Sequence, residues 1–307
     1  MRHRLSYAFV LFAGAMLLLA PPSARALDIA IVLSQAEGAP RAFADALRSL
    51  LPENAHRLTL AGTADGGVNE TVLERADVIV TAGASAVEAV VGRTRRPTLA
   101  VLLSRQQFAN LRARYPAAAM SAIVLDQPLR RQLRLVRAVL PRATRVGVLL
   151  GPESGALETE LADVAASESI QLRSQQVLQA ADVLAASERL LDVSDALLAI
   201  PDPVATNAAS ARAVLLSSYR YRRPMIAYSQ AYVEAGALAA VFSSPSDVAV
   251  DVADWITSQG NGPVSLPAAR SASRFGVAVN RQVARSLGLN VADDLSLIKA
   301  ISGGNAR

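Results

Sequence analysis

Two periods alternate along this chain, and their alternation limits the architecture more than any other feature. Short apolar runs at 27–33, 57–60, 77–81, 98–103, 121–125, 145–150, 170–173, 196–200, 225–228, 237–242 and 275–279 are separated by segments of helical spacing. Runs that are apolar throughout are strands buried on both faces, and such strands belong to parallel sheets covered by helices on either side. Helices are predicted at 41–51, 86–92, 128–140, 155–168, 182–191, 204–219, 247–259 and 281–287. The strands outnumber the five or six of an ordinary sheet. The chain therefore reads as α/β, with two doubly wound Rossmann-like lobes joined by a hinge in the extended stretch 120–127. It is expected to cross back near 243–246 and in the Gly-, Pro- and Ser-rich loop 260–273. The first lobe is then 27–122 completed by about 245–266, and the second is 123–242 completed by about 270–307.

Residues 1–26 read as an export signal: Arg2 and Arg4, an apolar run at 8–20, the breaker Pro21-Pro22, and the small-x-small site Ala24-Arg25-Ala26. The apolar run is short for a bilayer and no later window supplies about 18 apolar residues. No cysteine is present to carry a lipid. The expectation is a soluble periplasmic protein beginning at Leu27, not embedded in a membrane. Loss of Arg2, Arg4 and Arg25 lowers the formal charge from +5 to +2 (5 − 3), which removes the electrostatic case for nucleic acid. The absence of cysteine excludes disulfides and thiolate chemistry, and His56 is the one histidine left outside the signal. General-base and zinc chemistry both lean on imidazole. Neither a Gly-x-Gly-x-x-Gly nor a Walker A loop occurs. Gly83-Ala84-Ser85-Ala86 departs from a nucleophile elbow, because Val87 stands where Gly is required and His56 precedes the serine. No enzyme activity, cofactor or metal is expected.

In open α/β sheets a ligand sits beyond the carboxyl ends of the strands. The candidates there are Ser34 and Gln35 after the first strand, then Ala84 and Ser85, where Gly83 permits a tight turn and Ser85 is expected to cap a helix. Asp202, held between Pro201 and Pro203, is the candidate partner for a ligand ammonium, the other reading being a carboxylate that serves its own Pro-bounded turn or caps a helix from Val204 onward. Tyr228, Ser229 and Ser243 complete the set, with Phe242 as a wall. Helix 128–140 places Leu129, Leu133, Val136 and Leu140 on one face and Arg130, Arg134 and Arg137 on another, which reads as a solvated stripe. Tyr219-Arg220-Tyr221-Arg222-Arg223 reads as a solvated helix exit, Asn280 as an N-cap and Gly288 as a helix stop.

Longer segments carry a family resemblance: Arg145-Val-Gly-Val-Leu-Leu-Gly-Pro-Glu-Ser, Asp195-Ala-Leu-Leu-Ala-Ile-Pro-Asp202, the run from Arg223-Pro-Met-Ile-Ala-Tyr-Ser to Gly236, and Val277-Ala-Val-Asn280. In order and spacing the chain resembles periplasmic substrate-binding proteins of ABC transporters, the type that includes tryptophan- and tyrosine-binding members. The resemblance implies a type I periplasmic-binding-protein fold: two lobes, three crossings, and a small ligand passed to an inner-membrane ABC permease. It also implies that Ser34, Ser85, Asp202 and Ser229 line the cleft. Pro203 stands where the family often has Asn or Thr, and Ser243-Ser244 where relatives tend to carry a polar or acidic residue. The expected function is capture of a small polar ligand such as an amino acid by a monomer. Ser85 would receive the anionic end and Asp202 the cationic end. The alternative is a periplasmic regulatory or protein-interaction module with the same fold and no transport role.

Overall fold

The computed structural model describes residues 26–52 and 55–302. The expected export signal, apart from Ala26, lies outside the described residues. Two sheets are present, of seven and six strands. At the centre of the first is β1 (Asp28–Leu33), buried along every residue after Asp28. It pairs in parallel with β2 (Arg57–Thr63) on one side and with β4 (Val78–Ala82) on the other, and β5 (Thr98–Val101) and β6 (Met120–Val124) continue the parallel order. β3 (Gly67–Val68) returns antiparallel against β2, and β12 (Arg270–Ser271) closes the other edge beside β6. Phe43 and Leu47 of α1 (Gly38–Leu50) pack on this sheet together with Val252, Trp255 and Ile256 of the late helix α10 (Pro245–Thr257).

The second sheet runs β13 (Gly276–Val279), β11 (Ala239–Phe242), β10 (Met225–Ala227), β9 (Ala196–Leu198), β7 (Arg145–Leu150), β8 (Gln171–Gln176), parallel except for β13. Leu129, Leu133 and Val136 of α5 (Leu129–Val139) fill its core. The chain thus passes between sheets three times, at 125–128, at Ser243-Ser244 and at 272–275. The architecture is the two-lobed type I periplasmic-binding-protein fold.

Three local results depart from the expectations. Of the stretch 120–127 read as hinge, Met120–Val124 is strand β6, matching the apolar run at 121–125, so the first crossing begins only at Leu125. β8, with the sequence QLRSQQ, extends past its apolar start because an edge strand needs only backbone pairing with β7. β12 sits inside the loop expected at 260–273 and belongs to the first sheet, past residue 266. Caps follow the local sequence more closely. Ser104 and Gln107 form a capping box that opens α4 (Arg105–Arg114), and Ser244 and Asp247 do the same for α10. Asn280 caps α11 (Arg281–Ser286), and Gly288 follows it at φ +68°. The arginine stripe of α5 is less solvated than expected, since Arg130 and Arg134 both donate to Glu168 Oε1, at 2.8 and 3.2 Å.

Candidate functional site

Strands of both sheets direct their carboxyl ends toward a cavity of ≈300 Å³ between the lobes. Leu102, Leu103, Ser104 and Gln107 of the first lobe form one wall, Pro201, Tyr228, Ser229 and Phe242 of the second form the other, and Leu125, Asp126, Gln127 and Ser243 come from two of the crossings. Leu102 adopts φ +55°, an uncommon backbone state for a branched residue, at the end of β5 where it enters the cavity wall. On the far wall the Tyr228 and Tyr232 rings meet at 5.2 Å and 55°, and the Tyr232 hydroxyl donates to the Thr206 carbonyl at 2.7 Å. Burial pushes the Tyr232 hydroxyl above the ordinary phenol range. It is fixed as a donor that supports Tyr228.

Asp126 is the one charged side chain among the residues lining this cavity. Its Oδ2 accepts the Arg105 backbone N–H at 2.6 Å at the start of α4. Burial raises its carboxyl above the usual range, against the opposing pull of that N–H and of the Arg105 charge. No cation faces it from the cavity walls. At the mouth, Arg105 approaches Glu160 of the second lobe at 4.0 Å, an exposed pair worth at most about 1 kcal/mol.

Of the residues expected to bind a ligand, Tyr228, Ser229 and Ser243 come together in this cavity. Ser229 also caps the short helix α9 (Gln230–Glu234). Ser34, Gln35, Ala84 and Ser85 stand at neighbouring strand ends of the first lobe, outside the cavity lining. Ser85 is not the cap of α3 (Ala84–Val90): Gly83 takes that place at φ +100°, and a Cβ there would lie 2.7 Å from Ser34 Oγ. Asp202 requires the larger correction. Its Oδ1 accepts from the Val204 and Ala205 amides at 2.8 and 2.9 Å. Its Oδ2 accepts from the Glu153 and Ser154 amides at 3.2 and 2.9 Å and from the Ser154 hydroxyl at 2.8 Å. With 6% of the residue exposed, this carboxylate ties two loops together and has no lone pair turned to the cavity. The expectation missed Asp126, Gln127, Ser104 and Gln107. Ser104-x-x-Gln107 was readable as a capping box, while Asp126 lay inside the stretch 120–127 read as hinge.

Residues 68–301 match the family model described as ABC transporter substrate binding protein. The chain belongs to this family. No curated protein sequence matches it. Among solved structures it is similar to a conserved domain protein from Vibrio cholerae (22% identity, 90% of this chain and 98% of that one, TM-score 0.58). It is also similar to an ABC domain from Streptococcus pneumonia in complex with L-Trp (17%, 89% and 98%, TM-score 0.59). A third is the ligand-free, open form of a substrate-binding protein with adhesive properties from Clostridium difficile (17%, 87% and 96%, TM-score 0.66). At these identities the likeness speaks for the fold.

In this substrate-binding protein the three crossings are hydrogen-bonded to one another. Gln127 Nε2 donates to Ser243 Oγ at 2.9 Å, and Ser243 Oγ donates to the Arg274 carbonyl at 2.6 Å. Arg131 donates to Gln127 Oε1 at 2.6 Å and lies 3.9 Å over the Phe275 ring. Gln127 and Ser243 are buried, and these hydrogen bonds between the crossings offset the cost of taking both side chains out of water. Gln127→Leu removes both side-chain links of Gln127, takes the Gln127 acceptor from Arg131 and leaves Ser243 with its bond to the Arg274 carbonyl alone. The expected outcome is a broader distribution of interlobe distances, with the free energy of unfolding lowered by about 1 to 3 kcal/mol. The chain has no cysteine, so two introduced thiols, one per lobe, report that distance by paired fluorophores. An unchanged distribution would remove Gln127 from the hinge.

Proposed function

We propose that the protein is the exported, periplasmic solute-binding component of an ABC transporter. In this reading it captures a small polar ligand with an apolar or aromatic body and an amine, such as an amino acid, and presents it to an inner-membrane permease. The observation that carries the reading is the chemistry of the interlobe cavity. It has an aromatic and aliphatic lining, hydroxyls and amides from both lobes, and a single acid, Asp126, with no cation among the lining residues. An ammonium entering such a site would pair with the Asp126 carboxylate, whereas an anion would find no cation among the lining residues to receive it. The L-Trp complex of the Streptococcus pneumonia relative supports an aromatic amine as a reasonable class. Ser34, Gln35, Ala84 and Ser85, on the adjoining strand ends, would meet the ligand's anionic end as the lobes close. Closure is favoured by whatever affinity the ligand gains from touching both lobes.

A melting screen tests this directly. L-Trp, L-Tyr, tryptamine and tyramine are expected to stabilise the protein by about 2.7 kcal/mol at a hundredfold excess over Kd, while glutamate and benzoate leave it unchanged. Asp126→Asn should abolish the response to the amines and leave the unliganded melt intact or slightly raised, because burial of its carboxyl outweighs the pull of the Arg105 amide and charge. Preference for the carboxylic acids, or an undiminished amine response in Asp126→Asn, would refute the assignment.

A further inference from the structure

The end of the second lobe farthest from the cleft, where β7 and β10 begin, carries a groove of ≈490 Å³. Leu140, Leu287 and Leu289 form its apolar floor, and Arg142, Arg222 and Arg223 stand around it. The one acid in its wall, Asp195, is already engaged by Arg145 at 2.9 Å and Arg223 at 3.6 Å. Arg142 and Arg222 are exposed, and among the described residues neither is within ion-pair distance of a carboxylate. Beside the groove, α8 (Ala208–Arg220) ends with Leu216 and Tyr219, one turn apart and each 58% exposed. The chain then turns through Arg222 at φ +55°, with its N–H donating to the Tyr219 carbonyl at 3.0 Å. Arginine occupies a position that glycine fills at least cost. One end of the molecule therefore combines uncompensated guanidinium charge, an apolar groove and an exposed leucine–tyrosine pair.

We infer that this groove and the adjoining end of α8 form a peripheral docking surface for an anionic phospholipid bilayer. Charge complementarity identifies the occupant: the surplus is of one sign, and guanidinium groups pair with phosphate in a fork. Leu216 and Tyr219 supply the apolar and amphipathic contacts of an interfacial segment. Because the cleft opens at the opposite ends of the same strands, docking here leaves it free to take up a solute. The surface stands apart from the cleft assignment and does not depend on it.

Flotation of the purified chain with phosphatidylcholine vesicles, with and without phosphatidylglycerol, tests the inference. Binding is expected only to vesicles containing phosphatidylglycerol and should fall at least about tenfold from low to high salt, as screening shortens the reach of the arginines. The double substitution Arg142→Glu, Arg222→Glu is expected to weaken it by roughly thirtyfold with the melt unchanged, since neither side chain has an ion-pair partner to lose. Leu216→Ser should weaken it at high salt as well. Equal binding to neutral vesicles, no binding, or binding indifferent to the charge reversal would overturn the proposal. So would retention of polyglutamate by a chain that ignores both kinds of vesicle, which would make the partner an acidic protein.

Discussion

Gly151→Ala is expected to destabilise the second lobe by about 3 kcal/mol or more. A Cβ at this position would lie 1.9 Å from Asp202 Oδ1 and 2.4 Å from its Cγ. The obstacle is not the loose end of a long side chain. It is a carboxylate pinned by five donors, so making room means breaking several charge-assisted hydrogen bonds in a buried site. Urea unfolding reads the loss. Two further variants separate this cause from a general intolerance of substitution. Gly155→Ala, where a Cβ meets nothing within 4 Å, should stay close to wild type. In an Asp202→Ala background, Gly151→Ala should cost less than about 1 kcal/mol more, because the obstructing carboxylate has gone. Additive losses would mean that the close approach is relieved at no cost and that Gly151 serves another purpose.

The parts of this molecule legible in the sequence are those where one physical rule acts alone. β1, β4, β7 and β11 are buried on both faces, and their apolar runs marked them. The two-lobe organisation followed from their number. The end of β2, the two-residue edge strand β3 and the edge strand β8 were under-read because strands at a sheet margin are specified by backbone pairing, and their side chains are half polar. In the site, Tyr228, Ser229 and Ser243 could be placed from strand ends. Asp202 was found at its strand end with two readings, ligand partner or cap for the residues from Val204 onward, and its Oδ1 takes the second. A carboxylate after a strand looks the same in sequence whether it faces a ligand or its own loop amides, and Ser154, which decides the matter, is 48 residues away. Asp126 was hidden for a related reason: its environment comes from the N-terminus of α4, 21 residues earlier. Leu102 gives no signal at all, since a leucine in the left-handed region is imposed by its surroundings.

Asp202→Asn should show that this acid stabilises the fold. An amide nitrogen has to replace one oxygen. In one orientation it confronts the Val204 and Ala205 amides, and in the other the Glu153 and Ser154 amides, so two buried donors lose their acceptor either way. The expected loss at neutral pH is about 2 to 4 kcal/mol. The same geometry fixes the pH dependence. Burial pushes the Asp202 carboxyl up, but the donations from Ala205, Ser154 and Val204 outweigh it and leave it below its ordinary value. Burial likewise acts upward on Asp195 and is overcome by Arg145 and the Thr144 and Arg145 amides. An acid held low in the folded state contributes stability that is complete above its unfolded value of about 3.9 and is lost as pH falls through the folded value. Asp126, displaced upward, acts in the opposite sense and recovers stability as it protonates. Wild type should therefore lose stability steeply below about pH 4, and Asp202→Asn, starting lower, should lose less over the same interval. The decisive comparison is with ligand binding. If Asp202→Asn kept the wild-type urea midpoint and lost affinity for aromatic amines, Asp202 would be facing the solute and Asp126 would not be the acid that receives it.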